Sequence, residues 1–222
     1  MELYRYIILF GTGVIFIAFI VSLFFSKIKK PGYFIYVFWF ILLGILISLN
    51  TICNKIFEYT SINLFQATQS FLIFLQAIIS LKIFYIFFLF KNFKKLYYTF
   101  VLLYAIVLIF NIVTEFKFVM QHAIQALGPI VFSVYYFHNL FKANFDTPLL
   151  QRSDFWIVVG YFIYGSTSFP VYALHNFIYV YNPQKFGLSK AIFSISNISL
   201  IFLYLCLIKA YLCLKNPQPN TY

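Results

Sequence analysis

Apolar and polar positions along this chain alternate in long blocks. Apolar runs cover residues 6–25, 33–53, 62–90, 96–114, 119–140, 155–179 and 189–212, each divided from the next by a few polar, basic or Pro/Gly positions. A membrane-spanning helix takes about 20 residues. The pattern therefore predicts seven transmembrane helices joined by short loops, an all-α polytopic fold forming a single domain over residues 1–222. With seven spans, little chain is left for a soluble catalytic, nucleotide-binding or DNA-binding domain.

The third block carries the most informative pattern. It is apolar enough to span a bilayer, yet it holds Asn63, Gln66, Gln69, Gln76 and Ser80. Successive steps of three, three, seven and four residues put these side chains on one helical face. An amide facing lipid leaves its polar groups unpaired at a cost of several kcal/mol, so this face is expected to point into a bundle. The block is longer than a bilayer needs, and its Lys82 end is expected to tilt or to project into the cytoplasm. In the sixth block, Gly165, Ser166, Thr167 and Ser168 precede Pro170, which predicts a kink or local unwinding in mid-membrane. The fifth block contains Gly128 and Pro129.

Composition agrees. The chain is 63% hydrophobic and 9% charged, with a mean hydropathy of +0.90, values of an integral membrane protein. Aromatic residues make up 24%; alongside abundant Ile, Lys and Asn they read as compositional bias rather than a binding surface. The net charge of +11 is no nucleic-acid signature in such a chain, because lysines of this kind hold loops against anionic lipid. No nucleic-acid partner is expected; membrane lipids are. Lys27, Lys29 and Lys30 follow the first apolar run, and no small-residue cleavage site follows it, so the first helix is expected to be retained rather than removed as a signal peptide.

Basic residues also set the orientation. Lys27, Lys29, Lys30, Lys91, Lys94, Lys95, Lys142, Arg152, Lys209 and Lys215 fall on one side; Arg5, Lys55, Lys117, Lys185 and Lys190 fall on the other. The positive-inside rule then puts the N-terminus outside and the C-terminus in the cytoplasm. In this frame the polar residues come late in the outward-running helices and early in the inward-running ones. Gln66, Gln69, Gln76, His122, Gln125, His175, Asn176 and Asn197 accordingly gather in the outer half, and the cytoplasmic half is mainly Phe, Ile, Leu and Tyr. Two readings of this set stand side by side: a polar cavity open to the outside, or hydrogen bonds that tie helices together. Lys91, Lys94, Lys95 and Arg152 are the candidate contacts to a cytoplasmic partner.

Catalytic chemistry finds little support. All five acids, Glu2, Glu58, Glu115, Asp146 and Asp154, fall at loops or helix ends, leaving no carboxylate pair within a span for acid–base work. No lysine lies in the middle of the seventh helix, which argues against a retinal Schiff base. There is no HExxH motif and no Cys/His cluster; His122 and His175 together make half a zinc site. Ser166 or Ser168 with His175 can be drawn as nucleophile and base, but the Gly-Ser-Thr-Ser run suits a bent helix better. Cys206 and Cys213 lie two helical turns apart, about 11 Å, too far for a disulfide. No catalytic residue, metal or cofactor is expected, and the protein is read as non-enzymatic.

The stretch Pro148-Leu-Leu-Gln-Arg-Ser-Asp-Phe-Trp-Ile-Val-Val-Gly-Tyr-Phe-Ile-Tyr resembles one in small, mostly uncharacterised bacterial seven-helix membrane proteins. In topology the chain is similar to the membrane part of seven-helix receptors attached to histidine kinases, although no output domain follows the seventh helix. The resemblance implies a multi-pass protein of the bacterial cytoplasmic (inner) membrane. It implies a receptor-like or accessory subunit that works through a separate protein partner in the membrane or cytoplasm. Two other readings are a structural subunit of a larger membrane complex and a small-solute or lipid transporter.

Overall fold

A computed structural model describes residues 2–25, 31–57, 62–87, 91–113, 118–142, 148–181 and 186–214. For residues 2–5, 53–57, 62–64, 66, 91–93, 118–120, 175–181 and 186–190 it describes the backbone only. The side chains of Asn63, Gln66, Lys91, His175 and Asn176 therefore lie outside the described residues, as do most of the loop lysines used for orientation.

Seven α-helices are present among the described residues: α1 (Glu2–Phe24), α2 (Phe34–Phe57), α3 (Ile62–Phe87), α4 (Lys91–Val113), α5 (Phe118–Lys142), α6 (Ser153–Tyr181) and α7 (Phe186–Cys213). They match the seven apolar blocks, with ends displaced by a few residues. A 3-10 turn, Leu149–Gln151, precedes α6. Among the described residues, six helices are long and apolar enough to cross a membrane. α5 carries Gln121, His122, Gln125, His138 and Asn139. The protein is thus an all-α, multi-pass membrane protein.

The helices form a closed ring. α1 packs on α2 and α7, α2 on α3, α3 on α5, α5 on α6, and α6 on α7; α4 lies outside the ring against α3 and α5. α3 is the most central, since its side chains also reach α6 and α7 (Phe84 with Tyr161, Gln76 with Tyr204). α1 and α4 turn Leu9, Phe16, Phe24, Leu102, Ile106 and Ile109 outward, as lipid contact requires.

Two glycines set the spacing of the tightest helices. A methyl group on Gly160 of α6 would lie 2.9 Å from Cys206 Cβ of α7, and one on Gly165 would lie 2.9 Å from the Ala126 carbonyl of α5. Small residues let helix backbones approach in a membrane, where packing replaces the hydrophobic effect as the main attraction. α6 continues as an α-helix through Pro170, so of the two expectations, a kink or a local unwinding, the unwinding is not seen. Thr167 Oγ1 donates to the Ile163 carbonyl in the preceding turn.

The core divides along the bundle axis. Near the start of α6 it is aromatic: Tyr33, Phe34, Phe84, Phe87, Phe132, Tyr161 and Tyr211 pack in series, with neighbouring ring centroids 4.7–6.2 Å apart. Toward the α2–α3 connection it becomes polar.

Candidate functional site: the polar half of the bundle

Each polar residue here is placed by helical register. Gln121 and Gln125 are one turn apart on α5 and face inward together, toward α3 and α4. Gln121 Nε2 donates to the Ser70 carbonyl of α3 at 2.7 Å, and its Oε1 accepts from Asn111 Nδ2 of α4 at 2.8 Å. Gln125 Nε2 approaches the Ile73 carbonyl at 3.5 Å, and the Gln125 carbonyl accepts from Tyr104 Oη at 3.0 Å. Ser70, Asn111, Gln121 and Gln125 are all buried. One amide pair therefore ties three helices. Ser70 Oγ and Asn111 Oδ1 are buried without a partner among the described residues. Beside Gln121, Gln125 and Tyr104 lies a void of about 10 Å³, measured at the centre of a water molecule, which is about the space of one water.

A second group lies between α1, α2 and α7. Thr12, Ser48, Asn197 and the Tyr204 hydroxyl line a cleft of about 90 Å³ on the same measure, enough for several waters. Gln76 of α3 reaches Tyr204 Oη with a long contact of 3.5 Å. Gly44 of α2 is required here, since a Cβ at that position would collide with the Tyr204 hydroxyl. Thr12, Ser48 and Asn197 each donate to a carbonyl of their own helix four residues back. Their remaining lone pairs supply the polarity of the cleft.

The other candidates pair elsewhere. Gln69 Oε1 accepts from Asn50 Nδ2 at 2.9 Å, joining α3 to α2. His122, next to Gln121 in sequence, faces α6 and stacks on Tyr172 with ring centroids 4.7 Å apart; its Nδ1 is buried with no hydrogen-bond partner among the described residues. Ser168 and Ser196 share a 2.8 Å hydrogen bond between α6 and α7. Ser80 turns back to the Ala77 carbonyl. The structure thus distributes the predicted set over several helix interfaces. It brings Gln76 and Asn197 together around Tyr204, and places Gln125, Gln69 and His122 at three other contacts. No group of three His, Cys, Asp or Glu side chains occurs among the described residues.

Sequence reasoning left Asn50, Ser70, Tyr104, Asn111, Gln121 and Tyr204 out of its site. The four-residue spacing of Gln121 and Gln125 was a usable signal for two inward amides on α5. Nothing in the sequence marks Tyr204 among nineteen tyrosines.

At the opposite end the described polar side chains join neighbouring helices. Tyr33 Oη and Ser153 Oγ share a 2.7 Å hydrogen bond, and Tyr136 Oη donates to Asp154 at 2.8 Å. Arg152 grips the same carboxylate through Nη2 at 2.7 Å and Nε at 3.2 Å. Both charged side chains are buried. Arg152 therefore differs from Lys94 and Lys95, which are exposed at the start of α4.

No family model matches the chain, and no curated protein and no solved structure matches it.

Proposed function

We propose that this protein is a non-enzymatic, receptor-like or accessory membrane subunit that takes a ligand or partner segment at its polar half and works through a separate protein. The reading places seven crossings in a bacterial cytoplasmic membrane, with the N-terminus outside and the C-terminus inside. The ligand or segment enters from outside at the cleft beside Asn197 and Tyr204. The response passes along α5 and α6 to Lys91, Lys94 and Lys95, and to Arg152 acting through Asp154.

The observation that supports this reading is the asymmetry of the bundle. One half has paired amides and a 90 Å³ cleft; the other is filled by packed rings and joined by the Tyr33–Ser153 and Arg152–Asp154–Tyr136 contacts. A conduction path needs polar lining from end to end, and in the aromatic half the described polar side chains Tyr33, Ser153, Arg152, Asp154 and Tyr136 are engaged with one another. That favours action from one face over transport.

A structural-subunit role is the second reading. It is favoured by amides such as Gln121, whose hydrogen bonds are directed to neighbouring helices.

The test is purification from native membranes in mild detergent after lysine cross-linking, combined with solute flux in reconstituted vesicles. A stoichiometric partner joined through the start of α4, with no flux, is expected. A protein that emerges without a cross-linked partner, or that passes solute across vesicles, overturns the proposal.

A further inference from the structure

Lys82 lies inside the Ala67–Phe87 span, five residues, or about 7.5 Å along the axis, before the last residue described in that helix. It is half-buried, and its ammonium sits 4.6 Å from the Tyr85 ring centroid and 5.8 Å from that of Tyr97 on α4. Those two rings pack together at 4.9 Å. The ion pair among the described residues is Arg152–Asp154; Lys82 has no carboxylate partner among them. A cation at this depth is costly unless an anion or water reaches it, and the face of an aromatic ring compensates only part of that cost. Lys94 lies one turn before Tyr97 on the same face of α4 and is exposed. Farther along α4, Val101, Ala105 and Leu108 continue the face of Lys94 and Tyr97 as a half-buried apolar track.

A second cation rests on an aromatic ring at the same end of the bundle, Lys209 at 6.0 Å from Trp156. Such pairs collect at the headgroup level, where amphipathic rings and long basic side chains bridge hydrocarbon and water. The α3–α4 pair differs from the Lys209 site in having two lysines and a continuous apolar track beneath them.

We propose that the α3–α4 edge is a binding site for one anionic glycerophospholipid. Its phosphate is held by the Lys82 and Lys94 ammonium groups, its glycerol region rests against Tyr85 and Tyr97, and an acyl chain follows Val101 and Leu108. The charge selects an anionic headgroup, and the track selects a lipid over a free anion. This site is separate from the polar half and stands whatever that half binds.

The test uses the purified full chain in detergent, titrated with dioleoyl phosphatidylglycerol, dioleoyl phosphatidylcholine or inorganic phosphate. Native mass spectrometry reads occupancy and a thermal melt reads folding. Phosphatidylglycerol is expected to bind in preference to the other two. Lys82→Gln and Lys94→Gln should each weaken it about fivefold, the equivalent of roughly 1 kcal/mol per cation facing an anionic leaflet. Lys82→Arg should retain binding, and Lys142→Gln, which removes the same charge elsewhere, should leave it unchanged. If Lys82→Gln does not fold, Lys94→Gln on the exposed face decides. Equal occupancy by the two lipids, phosphate binding as tight as phosphatidylglycerol, or an equal loss on Lys142→Gln overturns the proposal.

Discussion

Replacing Arg152 by Met removes one side of a buried ion pair and keeps most of its volume. The guanidinium holds Asp154 through two nitrogens, at 2.7 and 3.2 Å, in a fork geometry that a point charge does not reproduce. The two side chains are 10% and 8% exposed, so water cannot take the place of the lost partner. The carboxylate would keep its 2.8 Å hydrogen bond from Tyr136, but its charge would be left without its guanidinium. Breaking a buried pair in this way costs about 3–5 kcal/mol. That is a large share of the roughly 5–15 kcal/mol by which a domain is stable. Replacing both members removes the stranded charge: Arg152→Met/Asp154→Leu should return most of the loss. The remainder, about 1–3 kcal/mol, is the Tyr136 hydroxyl left without an acceptor, and adding Tyr136→Phe should recover it. Unfolding in mixed micelles, followed by the fluorescence of the nearby Trp156, measures each step. The reasoning fails if Arg152→Met costs less than about 1 kcal/mol, as an exposed pair would. It also fails if the two single losses simply add.

Two further substitutions examine the helix contacts. Gly160→Ala should destabilise by about 1–3 kcal/mol, since its methyl would lie 2.9 Å from Cys206 Cβ and 3.0 Å from Leu203 Cδ1. Gly13→Ala meets nothing within 4 Å and should be neutral or stabilising by up to about 1 kcal/mol through helix propensity; equal melting shifts for the two would contradict the α6–α7 spacing. Gln121→Leu strands Asn111 Nδ2 and should cost about 0.6–1.7 kcal/mol, with Asn111→Leu in the same chain restoring part of it. A Gln121→Leu protein that melts like the parent would mean that this amide does not join α3, α4 and α5.

Much of the fold was legible because a bilayer imposes a simple rule. Every span must be long, apolar and helical, so seven apolar blocks became seven helices with ends displaced by a few residues. The single polar half was legible too, because antiparallel helices convert late and early positions into one level. Asn50 late in α2 meets Gln69 early in α3, and Asn111 late in α4 meets Gln121 early in α5. What remained hidden was the choice of partner. Helical spacing states which residues share a face but not which neighbour that face meets. Gln69 and Gln76, seven residues apart on one face, go to α2 and to α7. Arg152 is a second instance. By sequence it belongs with the loop lysines, and only the 3-10 turn before α6, which folds it back onto Asp154, separates it from Lys94 and Lys95.

The same partner choices explain why α5 is tied into the bundle from three sides. Its first turns carry three strongly polar side chains, Gln121, His122 and Gln125. Gln121 and Gln125 face α3 and α4, and His122 faces Tyr172 of α6. Gly165 brings α6 against its backbone near Ala126. In hydrocarbon each of these side chains would be a liability; between helices each becomes a directional contact that a leucine could not make. Hydrophobic residues are interchangeable in lipid and set no register between helices. The polar positions of α5 therefore do what the apolar blocks cannot: they fix how α3, α4 and α6 are turned toward one another, and so where the cleft beside Tyr204 and the Arg152–Asp154 pair lie relative to the same central helices.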